Sequence, residues 1–114
     1  MTSDARLTDR HCQRETSQLD SGAVQTLITK IHADWSLSED GRMIHRSFRF
    51  KNYYQTIAFV NALAWVAHHQ DHHPDLEVGY NRCVVHYSTH SVGGLSENDF
   101  ICAARIDALA PGDV

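Results

Sequence analysis

The residues of this chain that are best suited to chemistry are its histidines. Nine of the 114 residues are histidine, and four of them fall in the run His-His-Gln-Asp-His-His at positions 68–73. A neutral imidazole accepts a proton and a charged one donates a proton, and with a reference pKa of about 6.5 both forms are present near neutral pH. The cluster is therefore typical of a site that moves protons.

The run 68–73 follows an apolar stripe at helical spacing, so its first residues are expected to end a helix. Pro74 stops that helix near residue 70, because a proline disfavours the helical conformation of the residue before it. His90 follows a predicted hairpin, which can return it to the same end of the helix. The residues that we expect around one pocket there are His72, His73, His90, Asp71 and Asp99.

Three functions for this histidine cluster stay open on spacing alone. Histidines around a cavity suit a reaction that protonates a leaving hydroxyl and removes a proton elsewhere, as in dehydration or isomerisation. Histidines four apart on a helix, such as His68 and His72, also bind zinc, although the glutamate of an H-E-x-x-H motif is missing. The third possibility is a surface cluster without a function. The sequence contains neither a Gly-rich phosphate loop nor a serine nucleophile motif.

Local signals predict seven elements in the order α-β-β-α-β-β-α. Asp40-Gly41 marks a hairpin turn, because both positions of a type I′ turn need positive φ, and Ser96 with Asp99 resembles a capping box at a helix start. The predicted helices span about 21–33, 53–70 and 97–109, and the predicted strands span about 35–39, 42–50, 76–80 and 83–88. This order indicates an α+β fold, with three helices packed on one face of a four-stranded, mostly antiparallel sheet.

Length and composition indicate a single domain at residues 21–110, preceded by a flexible arm at residues 1–20, which are polar and lack periodicity. The net charge is −4 and the basic residues are scattered, which argues against nucleic-acid binding. No segment has the ~18 apolar residues of a membrane helix. The three widely spaced cysteines do not suggest a disulfide framework, and with the polar N-terminus they favour a cytoplasmic protein.

From residue 68 to residue 99 the chain resembles the signature of the pterin-4a-carbinolamine dehydratase family. That signature has a charged residue, three further residues, His-His-Pro, then an aromatic residue, a histidine and an aspartate at spaced positions. The residues that match it are His68, His72, His73, Pro74, Tyr80, His90 and Asp99. Weaker similarity extends over roughly residues 20–109. One departure is His68, since this position is usually acidic in the family.

The resemblance implies an enzyme that dehydrates 4a-hydroxytetrahydrobiopterin, or a related 4a-hydroxytetrahydropterin, to quinonoid dihydropterin. This hydro-lyase reaction belongs to pterin recycling for an aromatic amino acid hydroxylase, which is a possible partner. The resemblance also implies a homodimer or homotetramer and the absence of a metal or organic cofactor. The alternative that it leaves open is a non-catalytic protein-binding, assembly or regulatory module on the same fold.

The resemblance further assigns roles to the matching residues. His72 and His90 would act as general acid and base around the 4a-hydroxyl group, and His73 would bind and position the pterin. The remaining residues, expected to bind substrate or to support the site, are His68, Asp71, Pro74, Tyr80 and Asp99. The loss of a carboxylate at position 68 is expected to shift the pH optimum if that carboxylate tunes a catalytic histidine.

Overall fold

Four antiparallel strands form one sheet in this computed structural model, which describes residues 6–109. The strands are β1 (Ser36–Leu37), β2 (Ile44–Arg49), β3 (Asp75–Val78) and β4 (Arg82–Tyr87), in the spatial order β1-β2-β4-β3. Each predicted hairpin is present, and the long strands β2 and β4 pair along their full length at the centre. The turn of the first hairpin is not the predicted type I′: Gly41 has a φ of 70°, whereas Asp40 does not have the positive φ that this turn also requires.

Three α-helices complete the fold and confirm the predicted α+β architecture. They are α1 (Ser21–Ile28), α2 (Tyr53–Gln70) and α3 (Glu97–Asp107). Asp20 caps α1 by accepting the N–H of Ala23 at 2.8 Å, and Asn52 caps α2 by accepting the N–H of Gln55 at 2.9 Å. Helix α1 ends five residues before the predicted limit near Ala33. Among residues 6–109, no helix combines the length and the apolar character needed to cross a bilayer.

The core lies between the helices and one face of the sheet. Alternate residues of β4 are buried, namely Cys83, Val85 and Tyr87, as expected for a strand with one face on the core. Phe59 of α2 packs on Phe48 of β2, with ring centroids 4.6 Å apart. Helix α3 is buried along most of its length, so it is the central helix of the core.

The segment before α1 differs from the expected flexible arm. Residues 6–20 pack against the domain, and Leu7 is buried in a short 3₁₀ helix, Leu7–Asp9. The side-chain amide of Asn98 pairs with both the N–H and the C=O of Gln13, at 2.9 and 2.8 Å. The expectation failed because the segment is held by polar side chains of α3, and the sequence of the segment does not show that these partners lie beside it. Residues 1–5 of the expected arm and residue 110 of the expected domain lie outside the described residues.

Candidate active site

The histidine run is divided by the end of helix α2. Asp71 adopts the left-handed conformation, with φ 52° and ψ 42°, and the N–H of His72 donates to the carbonyl of Ala67 at 3.0 Å. This is a Schellman-type helix end, which usually has glycine at the left-handed position. Because Asp71 turns the chain, His72, His73 and Pro74 leave the helix, as the sequence predicted for a helix that stops near residue 70.

His72 is held by a buried carboxylate. Its Nε2 lies 2.6 Å from Oδ1 of Asp99, whose side chain is fully buried, while the His72 side chain is 14% exposed. The other carboxylate oxygen accepts the hydroxyl of Thr89 at 2.8 Å and the N–H of Ser96 at 2.9 Å. An ionised carboxylate only accepts hydrogen bonds, so we assign the proton of the imidazole to Nε2. The nitrogen left to exchange a proton with a ligand is then Nδ1.

Asp99 has two roles, one at the start of α3 and one beside His72. It is the third residue of α3, where its carboxylate closes the capping box by accepting the N–H of Ser96. The same carboxylate fixes the orientation of His72, as a carboxylate does for a histidine in many metal and catalytic sites. The geometry of the helix start therefore determines where the His72 ring lies.

Tyr87 of β4 contacts both the backbone and the ring of His72, and the sequence did not predict it as a site residue. Its hydroxyl donates to the backbone carbonyl of His72 at 3.0 Å, and its ring lies 5.1 Å from the imidazole, centroid to centroid. Burial raises the pKa of Tyr87, so it stays a neutral donor. The signal that could have identified it is the period of two along β4, which places Tyr87 and Thr89 on the core face with Val85.

A cavity of about 510 Å³ lies between the C-terminal half of α2 and the start of β3. Its polar lining residues are His68, Asp71, His72 and His73, and its apolar lining residues are Leu63, Ala64, Ala67, Pro74 and Leu76. Pockets with an apolar wall and a few convergent polar groups are the usual binding sites of small organic molecules. The structure thus brings five of the eight predicted site residues to one cavity, and Asp99 contacts it through His72.

The other two predicted residues, His90 and Tyr80, lie elsewhere. His90 is exposed at the start of a 3₁₀ helix, His90–Val92, and lines a second cavity with Arg42 and Ser88. The expected convergence of His90 with His72 on one pocket is not observed, because the bridge between Thr89 and Gly94 loops His90 outward. Tyr80 is 65% exposed in the turn between β3 and β4 and is not among the residues that line either cavity.

Metal binding was the competing interpretation of the histidine spacing. Across residues 6–109, no three His, Cys, Asp or Glu side chains are grouped as ligands of one metal ion. His72 and His73 lie beyond the end of α2, so the pairs His68/His72 and His69/His73 do not lie one turn apart on a continuous helix. The ring of His69 stacks on Trp65, with ring centroids 3.7 Å apart.

Comparison with known proteins relates this site to one family. Residues 17–109 match the family described as pterin 4 alpha carbinolamine dehydratase. A relative from Legionella pneumophila, provisionally named a pterin-4-alpha-carbinolamine dehydratase, is 51% identical over 96% of this chain and 97% of its own length. A second relative with the same provisional name, from Stenotrophomonas maltophilia, is 72% identical over 66% of this chain and 65% of its own length.

Two solved structures share the fold. The first is described as a transcriptional coactivator/pterin dehydratase from Brucella melitensis, with a TM-score of 0.78 at 31% identity, over 83% of this chain and all of that chain. The second is described as a pterin dehydratase-like protein that is a RuBisCO assembly factor in the alpha-carboxysome. It has a TM-score of 0.60 at 31% identity, over 69% of this chain and 92% of that chain.

Proposed function

Because the chain belongs to the pterin-4a-carbinolamine dehydratase family, we propose that it dehydrates a 4a-hydroxytetrahydropterin, such as 4a-hydroxytetrahydrobiopterin, to quinonoid dihydropterin. The observation that carries this proposal is the His72–Asp99 pair at the 510 Å³ cavity. It supplies a histidine of fixed orientation with one free ring nitrogen. The proposal also places the enzyme in the cytoplasm, in pterin recycling for an aromatic amino acid hydroxylase.

The chemistry of a carbinolamine defines what the site must do. The hydroxyl group and a nitrogen are bonded to the same carbon, so loss of water forms a C=N bond. The leaving hydroxyl takes up a proton, and the nitrogen gives up its own proton to a base. A histidine can serve either step. When Nδ1 of His72 accepts a proton, the positive charge that forms lies next to the Asp99 carboxylate, which stabilises it.

The remaining roles follow the family resemblance. His73 positions the pterin, and His68 and Asp71 supply further polar contacts at the rim of the same cavity. Pro74 fixes the direction of the chain after His73. We retain His90 as the second acid–base group on the resemblance alone, because in this structure it lines a different cavity from His72. Tyr80 remains a proposed substrate contact on the resemblance alone.

A coupled assay tests the reaction and the site together. Freshly generated 4a-hydroxytetrahydropterin is mixed with the wild type, His72→Ala or His69→Ala, and formation of quinonoid dihydropterin is followed. His69 is the matched control, because it is an exposed histidine of the same run whose ring stacks on Trp65 instead of lining the cavity. We expect acceleration by the wild type and by His69→Ala, and its loss in His72→Ala. A folded wild type that gives no acceleration refutes the proposed function.

A homo-oligomer is proposed on the exposed aromatic side chains of α2. Tyr54 and Trp65 are 80% and 63% exposed, and their separation of eleven residues is close to three helical turns, so both lie on one helix face. Burial of two such side chains between copies of the chain would remove a large apolar area from water. Light scattering should give the mass of a homodimer or homotetramer, and Tyr54→Ser with Trp65→Ser should lower it.

The same helix face favours a second candidate function, that of a binding or assembly module. The structural neighbours described as a coactivator and as an assembly factor support this alternative. It predicts that a protein partner, such as a hydroxylase, binds the His72→Ala variant as well as the wild type. Loss of partner binding in His72→Ala, with α2 intact, would exclude a role independent of the cavity.

A further inference from the structure

Two cysteines distant in sequence meet behind the candidate site. Sγ of Cys12 lies 3.5 Å from Sγ of Cys102, although ninety positions separate the residues in the chain. Cys102 is fully buried on α3, while Cys12 is partly exposed in the segment before α1. Both are free thiols, and Sγ of Cys102 is 3.9 Å from the backbone carbonyl of His72.

The contact between the two sulfurs is held from both sides. Gln70 accepts the backbone N–H of Cys12 at 2.8 Å, and Asn98 pairs with the backbone of the next residue, Gln13. The guanidinium of Arg105 donates to the carbonyl of Arg10. A disulfide requires sulfurs about 2.05 Å apart, so the Cys12 side chain needs to move by only about 1.5 Å from the observed separation.

We propose that Cys12 and Cys102 are a thiol modification site, which a peroxide converts into an intramolecular disulfide. The Cys12 thiolate attacks one peroxide oxygen, the O–O bond breaks, and Cys12 becomes a sulfenic acid as water or an alcohol leaves. The sulfur of Cys102 then displaces the sulfenic hydroxyl as a second water and loses its proton. With hydrogen peroxide the sum is two thiols and one peroxide giving one disulfide and two waters, and a dithiol reductant reverses it.

The roles of the two sulfurs follow from their surroundings. The hydrogen bond from the Cys102 thiol lowers the pKa of Cys12, with a further contribution from the Arg105 charge, against the opposing effects of burial and Asp99. The pKa of Cys102 is raised because its proton is shared with Cys12 and because it is buried. Cys12 is thus the attacking thiolate and Cys102 the thiol that resolves the sulfenic acid. Burial alone raises the pKa of Cys83 to about 11, so Cys83 is an internal unreactive control.

Peptide mapping of the intact chain tests the proposal. Trypsin alone leaves Cys83 and Cys102 together in residues 83–105, so a second cleavage after Glu97 is needed. We expect hydrogen peroxide to join the peptide of residues 11–14 to that of residues 98–105, in a product that a dithiol separates again. Of the three thiols that titrate in the unfolded reduced protein, one, Cys83, should remain after oxidation.

Two variants make the outcome decisive. Cys83→Ala should form the same cross-link, and Cys12→Ser should leave the Cys102 thiol free after the same treatment, with circular dichroism as the check on folding. Closure of so long a loop should raise the Tm of the oxidised wild type by something of the order of 10 °C, with no rise in Cys12→Ser. A cross-link between two Cys12 residues of different chains, or Cys12 oxidised to a sulfinic acid beside a free Cys102 thiol, overturns the proposal.

Discussion

Replacing Asp99 by asparagine should separate the two roles of this carboxylate. An asparagine can keep its carbonyl oxygen on the Ser96 N–H and the Thr89 hydroxyl, so the start of α3 stays capped. Its NH₂ group then faces Nε2 of His72, which has to become an acceptor. The imidazole proton therefore moves to Nδ1, the nitrogen that we expect to accept a proton from the substrate.

The structure predicts different losses of unfolding free energy for two substitutions of Asp99. Asp99→Asn exchanges one charge-assisted hydrogen bond for a neutral one, which should cost about 1–2 kcal/mol of unfolding free energy. Asp99→Ala leaves three donors without an acceptor, on His72, Thr89 and Ser96. At about 1–3 kcal/mol for each of the three donors, the loss is about 3–9 kcal/mol, a large part of the stability of a small domain.

The activity of Asp99→Asn should fall far more than its stability. A wrongly protonated general base loses about a hundredfold or more in kcat, because that is the usual contribution of acid–base catalysis. We therefore expect Asp99→Asn to be folded and nearly inactive. Thermal unfolding, the coupled dehydratase assay and ¹⁵N NMR of the His72 ring nitrogens measure stability, rate and tautomer on the same sample. Wild-type kcat in a folded Asp99→Asn protein, or an unchanged tautomer, would refute the reasoning.

Three further substitutions test the remaining parts of the site. His90→Ala should lower kcat about a hundredfold if His90 is the second acid–base group, whereas a loss below about threefold would remove His90 from the mechanism. His68→Glu should move the pH–rate profile upwards by up to about one pH unit, because an added carboxylate favours a charged imidazole nearby, and an unchanged profile would show that position 68 does not tune the base. Asp71→Gly should stabilise the fold by about 1 kcal/mol, because glycine adopts the left-handed conformation without strain; a fall in Tm would instead show that the Asp71 carboxylate makes a stabilising contact.

The elements that carry the site were predictable because their signals are local. Asn52 and Asp20 cap helices through bonds to residues three positions on, Asp40-Gly41 forms a tight turn, and Pro74 follows the end of α2. Each signal acts within a few residues, so sequence order alone places it. The position of His72 after the helix followed from the same kind of signal.

The features that the sequence did not predict depend on partners far away in the chain. The packing of residues 6–20 depends on amides of Gln70 and Asn98, more than fifty positions distant. The outward direction of His90 depends on how Thr89 pairs with Gly94 around a short 3₁₀ helix. Neither side chain type nor periodicity specifies such contacts, since the same residues would suit an exposed surface equally well.

Asp99 accepts hydrogen bonds through both of its carboxylate oxygens, and this has a consequence for how substitutions in related proteins should be interpreted. A descendant that gave up catalysis and kept only a scaffold role would still need this aspartate, because without it the start of α3 loses its cap and buried donors lose their acceptor. Loss of the His72 side chain removes one hydrogen bond from the buried Asp99 carboxylate, whose other oxygen keeps its bonds to Thr89 and Ser96. Loss of His72 is therefore expected to cost less stability than loss of Asp99, and a related protein that keeps Asp99 without His72 is expected to keep the fold and to lack the proposed acid–base group.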